Sequence, residues 1–285
     1  MEKLNFDNLQ IDRSLPTLSI SACLGLLSKP FDADKAAEAS YNKHYNNPES
    51  EYYHKTKEEI IEIWQNKGAD SCRYGSMLDD YIGLNLTGSK DDIELWKLDN
   101  DYDGDERLHG NCDSFDAFIS LFLNDDIEFV TREQTVYIPH TNDNNEVDGY
   151  FKGRFDALFY NKKTKKYIIV DWKSSATIAE SNRWDKLLGP CRNLDACNYN
   201  TYTLQGYFYK KSLIEHYLPK GTKEDDVVFM IVQLPGHVIN EGAFKGQNFA
   251  TYRPAFAYDD SYISNMLSFA WKKNALLNKC LDLNV

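Results

Sequence analysis

The chain lacks long hydrophobic runs. None approaches the ~18–20 residues of a membrane-spanning helix, and the opening MEKLNFDNLQ has neither the basic nor the apolar segment of a secretory leader. The expectation is a cytoplasmic protein with no membrane partner. Cysteine is sparse, six in 285 residues, and no CxxC pair occurs. That argues against a disulfide framework and against a sulfur-based metal site. The six histidines show no zinc spacing either, and no segment repeats. What remains is a globular composition, 42% hydrophobic and 14% aromatic, long enough for one large domain or a core with a substantial extension.

Basic charge is also in short supply. The net charge is −12, which at face value argues against a nucleic-acid partner. The deficit is uneven along the chain: residues 1–150 hold 13 Lys+Arg against 31 Asp+Glu, and residues 151–285 hold 19 against 13. The halves are therefore −18 and +6. Such an asymmetry can place a basic surface on an acidic protein.

Periodicity divides the chain by texture. Helical composition and spacing predict helices over 31–45, 56–67, 74–86 and 113–123. The loop DNDYDGDERLHG from Asp99 has acids at positions one, three and five and a glycine at six, like the start of an EF-hand. Position twelve is Gly110 rather than a bidentate Glu, so the loop reads as a solvated acidic connection. Alternation then predicts strands over 127–138, 148–160 and 166–173, the last two joined as a hairpin by Asn161 to Lys165. An irregular stretch leads to a helix over 201–217, a strand over 227–234 and a terminal helix over 259–278. The order describes an α/β fold.

One stretch asks for a ligand. The greasy run Tyr167-Ile168-Ile169-Val170 ends in Asp171, Trp172 and Lys173, and burying an acid and a base costs several kcal/mol unless they are paired or bound. Strict alternation puts Phe151, Phe155 and Phe159 on one face and Lys152, Arg154 and Asp156 on the other. It also puts Tyr167, Ile169, Asp171 and Lys173 together on the next strand. Pairing the strands as a hairpin brings Asp156 to Asp171, with Lys173 one step beyond. Two carboxylates and an amine can hold Mg2+ or Mn2+ beside a cation, the combination phosphodiester hydrolysis uses. A buried Asp/Lys ion pair with no catalytic role accounts for the bare D-x-K equally well.

Gly153-Arg154-Phe155-Asp156 and Asp171-Trp172-Lys173, followed by Gln205-Gly206-Tyr207-Phe208-Tyr209, resemble the GxxD, DxK and QxxxY motifs of the RecB-like branch of PD-(D/E)XK nucleases. More weakly, Ser19 to Asp32, Trp64 and Tyr74-Gly75-Ser76 are similar to the N-terminal layer of exonucleases of the mitochondrial genome-maintenance type and their phage relatives. The resemblance implies a restriction-endonuclease-like core, a mixed central sheet flanked by helices, over 126–285. A helical part over 1–125 would contribute one active-site helix, the whole forming one compact unit. It implies a metal-dependent deoxyribonuclease, in a bacterial or phage-infected cell, acting as an exonuclease on single-stranded or end-containing DNA. Replication or recombination proteins would be its partners.

By the same resemblance Asp156 and Asp171 are metal ligands and Lys173 assists the attack. The family's histidine on the N-terminal helix is replaced here by Asp79 or its neighbour Asp80. Gly75 and Gly83, one turn either side, favour Asp79. Glu133 is a further candidate ligand. The iron–sulfur cluster of some relatives is not expected, because Cys191, Cys197 and Cys280 lack its spacing. Gln205 and Tyr209 would touch DNA or steady the site. Arg183, Trp184, Lys210 and Lys211, with nearby tyrosines, would line a groove for the strand. A catalytically silent binding or scaffold protein of the same fold, and a sequence-specific endonuclease, are the alternatives.

Overall fold

The computed structural model describes residues 4–282, with side chains to residue 279. The chain divides into two compact units, residues 30–109 and a larger unit built from residues 1–29 and 110–285. That division differs from the expected boundary at 125: residues 4–29 belong with the sheet.

The smaller unit is helical: α2 (Ala33–His44), α3 (Lys57–Thr87), α4 (Lys90–Asp99) and the first turn of α5 (Glu106–Phe122). The helices expected over 56–67 and 74–86 are one continuous α3. Gly68 costs about 1 kcal/mol within a helix, too little to break one started by the reciprocal Thr56/Glu59 capping box. Helix α4 was not expected, although Ser89-Lys90-Asp91-Asp92 carries the signature of the capping box that starts it. Aromatic contacts hold the unit together, among them Trp64 Nε1 donating to Tyr52 Oη (3.0 Å) and Tyr81 against Trp96 (5.3 Å). The EF-hand-like loop is a helix cap. Asp105 accepts from the amides of Arg107 (3.1 Å) and Leu108 (3.0 Å) and from the Tyr74 hydroxyl (2.7 Å).

The larger unit is α/β. Its strands are β1 (Thr17–Ser19), β2 (Ile127–Thr141), β3 (Val147–Asn161), β4 (Lys166–Lys173), β5 (Val227–Gln233) and β6 (Ala250–Tyr252), and they form one mixed six-stranded sheet. Strand β2 runs antiparallel to the whole of β3. The other edge of β3 is shared by β1, parallel at residues 150–152, and β4, antiparallel at residues 157–161. Strands β4 and β5 are parallel, with β6 antiparallel at the end. Their crossover is α6 (Asn198–Ser212), as a parallel pair requires. Helices α1 (Ile20–Leu26), α6 and α7 (Asp260–Asp282) cover one face, and α5 packs Phe115 and Phe118 on Trp172 of the other.

The expected hairpin is present, but its alternation is not strict. Phe151, Phe155 and Leu158 all belong to the core beneath α6 and α7, whereas Phe159 packs edge-on against Phe122 of α5 (5.0 Å). The alternation of β3 therefore reverses between residues 155 and 158, so Phe155 and Phe159 do not share a face as expected. The reversal surrounds Asp156. On β2 at the same level, between the pairs Arg132↔Ala157 and Gln134↔Phe155, Glu133 has φ +47°, a left-handed conformation in which the side chain leaves the normal pleat.

Candidate active site

The β3–β4 connection is tight: Asn161 Oδ1 accepts the Thr164 amide (2.8 Å), and the pair Asn161↔Lys166 starts the ladder. The pairs run to Ala157↔Val170, so the next step of the register sets Asp156 opposite Asp171. The ladder stops there, and the Asp156 carboxylate accepts the Trp172 amide instead (2.7 Å). Alternation on β4 holds: Tyr167 and Ile169 face the α6 core, and Asp171 and Lys173 continue that row.

Asp171 is 1% exposed and forms an ion pair with Lys173 through Oδ2. That oxygen accepts no directed hydrogen bond, so it is satisfied by charge alone, a condition that suits a second cation. Burial pulls the Lys173 pKa down, but Asp171 and then Asp156 overcome it and hold the ammonium above the ordinary lysine value. Its Nζ also lies over the Tyr202 ring, 4.7 Å from the centroid.

Helix α6 is seated by two glycines. A Cβ on Gly206 would stand 2.2 Å from the Phe229 ring, and one on Gly153 would stand 2.7 Å from the rings of Phe208 and Tyr209. Close approach lets Tyr209 donate to the Arg154 carbonyl (2.8 Å), two residues before Asp156, while Gln205 Nε2 donates to Tyr209 Oη (2.8 Å). Burial, and then the charges of Asp171 and Asp156, push the Tyr209 phenol well above its ordinary pKa, which keeps it a neutral donor. Gln205 and Tyr209 thus brace the strand that carries Asp156. Tyr209, 1% exposed, is not a surface contact.

The remaining expected residues separate. Glu133 pairs with Arg154 (3.2 Å) and Arg132 (3.4 Å), and among the described residues no three His, Cys, Asp or Glu side chains converge as metal ligands. Glu133 therefore does not complete a set with Asp156 and Asp171; its strained backbone turns it toward the arginines. Asp79 lies half-buried on α3 in the helical unit, and Asp80 is exposed.

Lys210 and Lys211 are only 8% and 7% exposed, so little of either is offered to a strand lying along this helix. Lys211 pairs with Glu215 (2.6 Å) and Asp260 (2.8 Å), and Lys210 lies over the Tyr258 ring (4.7 Å). Arg183 is exposed, and Trp184 is 90% exposed. The loop that presents them is fixed: Asn182 accepts the amides of Trp184 and Asp185 and donates to the Ala196 carbonyl.

Sequence reasoning missed Gln233. It sits beside Lys173 in the β4–β5 register and donates to the carbonyls of Ser175 (3.0 Å) and Ala176 (2.8 Å), fixing the chain as it leaves β4. A glutamine closing the apolar run VVFMIV was its only signal.

Mg2+ binds through one or two carboxylates while keeping several waters. The pair Asp156/Asp171, with a buried oxygen accepting no hydrogen bond, fits that demand. No family model and no curated protein matches this sequence. A solved structure described as the crystal structure of SSO0001 aligns over 92% of this chain and 78% of that chain, at 11% identity and a TM-score of 0.34. A likeness at that level bears on neither family nor function. Among the described residues no helix is long and apolar enough to cross a membrane.

Proposed function

We propose that this chain is a metal-dependent deoxyribonuclease of the RecB-like PD-(D/E)XK type, hydrolysing DNA phosphodiester bonds by an activated water without a covalent intermediate. The observation that carries the reading is the convergence of Asp156, Asp171 and Lys173 where the β3–β4 ladder ends, braced by Gln205 and Tyr209. Asp156 and Asp171 would hold Mg2+ or Mn2+. Such an ion supplies charge neutralisation at the phosphate and a more acidic bound water.

The chain's own residues have separate tasks. Lys173 offsets the negative charge that develops on the phosphoryl oxygens, and the Tyr202 ring beneath it keeps its ammonium aimed. The Trp172 amide fixes the orientation of the Asp156 carboxylate. Trp184, held out by an ordered loop beside Arg183, is a stacking platform of the kind that binds unpaired bases. An exonuclease acting on single-stranded or end-containing DNA, in replication, recombination or repair, is therefore the preferred form of the activity.

The test is a substrate panel. End-labelled single-stranded, duplex and circular DNA are incubated with the protein, with Mg2+ and with chelator. The proposal expects metal-dependent release of short products from linear strands and sparing of circles. Nicking of circles would assign an endonuclease. Inert substrates under all metals would leave a binding or scaffold role.

A further inference from the structure

A cavity of about 620 Å³ opens at the other end of β4 and β5 from Asp171 and Lys173. Its cations are Lys166, Lys210 and Arg253, its walls include the rings of Tyr207, Phe229 and Tyr258, and Glu224 and Asp225 stand exposed at its rim. Lys210 is more than nine-tenths buried. Lys211, the next residue, has two carboxylates in contact. Among the described residues, by contrast, the only close partner of the Lys210 ammonium is the Tyr258 ring at 4.7 Å. A largely buried lysine with no carboxylate in contact is costly to keep charged. Burial lowers its pKa, Glu224 and Asp225 oppose that, and Lys166 adds to it, so the two acids do not neutralise the group.

We infer that this cavity is a binding site for a phosphate monoester attached to a nucleobase, with Lys210, Lys166 and Arg253 on the phosphate and Tyr207 or Tyr258 against the base. Three cations lining one cavity suit a dianionic phosphate. The aromatic walls suit a flat heterocycle. Glu224 and Asp225 would repel the phosphate from the rim and leave it the deeper end, themselves accepting from base amines or sugar hydroxyls. The volume accommodates one nucleotide and falls within the range of ordinary ligand sites. The inference stands on this cavity alone and does not depend on the proposed nuclease activity.

Two sources share that chemistry, a free mononucleotide and the phosphorylated end of a DNA strand. The test titrates the full chain, with chelator present so that metal-dependent binding at Asp156 and Asp171 is silent. The probes are deoxyadenosine monophosphate, deoxyadenosine, inorganic phosphate and a short 5′-phosphorylated oligonucleotide. Saturable binding of the monophosphate, with deoxyadenosine and inorganic phosphate each weaker by about tenfold or more, is expected. Lys210→Met, which keeps the buried stem, should weaken it by about tenfold or more, and Arg253→Gln by severalfold. Stronger binding of the oligonucleotide would make the strand end the source. Because Arg253 is exposed, its variant remains informative even if Lys210→Met fails to fold. Absence of saturable binding by either phosphorylated probe would overturn the inference, as would affinity unchanged in Arg253→Gln and in a folded Lys210→Met protein.

Discussion

The two units of this chain treat polar groups in opposite ways. Among the described residues all nine buried polar or charged side chains, from Asn111 to Gln233, lie in the sheet unit, and the helical unit of residues 30–109 buries none. Charge follows the same division: the helical unit has 9 Lys+Arg against 19 Asp+Glu, and the rest of the chain has 23 against 25. The basic half seen along the sequence is therefore not a physical unit, because the acidic residues 110–150 belong to the same compact unit as its lysines. In the helical unit polar residues cap helices and face water. In the sheet unit they are buried, where each needs a partner: among the described residues Asp171 Oδ2 has the Lys173 ammonium, Lys210 has a ring in place of a carboxylate, and Asn111 Oδ1 accepts no hydrogen bond.

The comparison can be broken by substitutions that should behave differently in the two units. The largest effect is expected at Gly206. Valine there would meet the Phe229 ring, destabilising the protein by about 3 kcal/mol, read as a lower denaturant midpoint. Lys211→Met comes next. It strips an ammonium from the half-exposed Glu215 and Asp260 and should cost about 1–2 kcal/mol. The salt dependence of DNA binding should not change, since Lys211 is buried; a reduced salt slope would return it to the strand.

In the helical unit, effects should be smaller and local. Burial raises the Asp105 pKa, but the Leu108 amide and the Tyr74 hydroxyl more than offset this and hold the carboxyl below its usual 3.8. A depressed folded-state pKa stabilises above the unfolded value, near 4, and the benefit disappears as pH falls through the folded value. Asp105→Ala should therefore cost about 1 kcal/mol at neutral pH, and the gap from wild type should narrow below pH ~4. A gap independent of pH would contradict the assignment. Smallest, and opposite in sign to Gly206, Gly68→Ala should stabilise by about 0.5–1 kcal/mol, because nothing lies within 4 Å of the added methyl.

Legibility in the sequence followed the same physics. Strand β4 and its hairpin with β3 were readable because apolar runs and a polar five-residue connection are local signals. The GxxD and QxxxY motifs were readable as residues, but their glycines acquire a reason only when α6 is seen against the sheet, with Gly153 under Phe208 and Gly206 over Phe229. The reversal at Asp156 was not readable. It rests on a left-handed Glu133 that no residue preference announces, and strict alternation hides it. The burial of Lys210 and Lys211 was missed for another reason: charge counted along a chain treats every lysine as solvated, whereas a long apolar stem can cross a buried helix face. Gln233 and Tyr202 took their roles from strands and helices distant in sequence.

The central claim is that Asp156 and Asp171 work as a metal-holding pair and not as an ion-pair network that merely closes the sheet. It is tested most directly by the cleavage rate of a linear labelled single strand at saturating Mg2+, for wild type, Asp156→Asn and Asp171→Asn, with each variant shown to be folded. The account predicts metal-dependent cleavage by wild type and a loss of at least about a hundredfold in both variants, not restored by more Mg2+. Folded variants that cleave at the wild-type rate would contradict it.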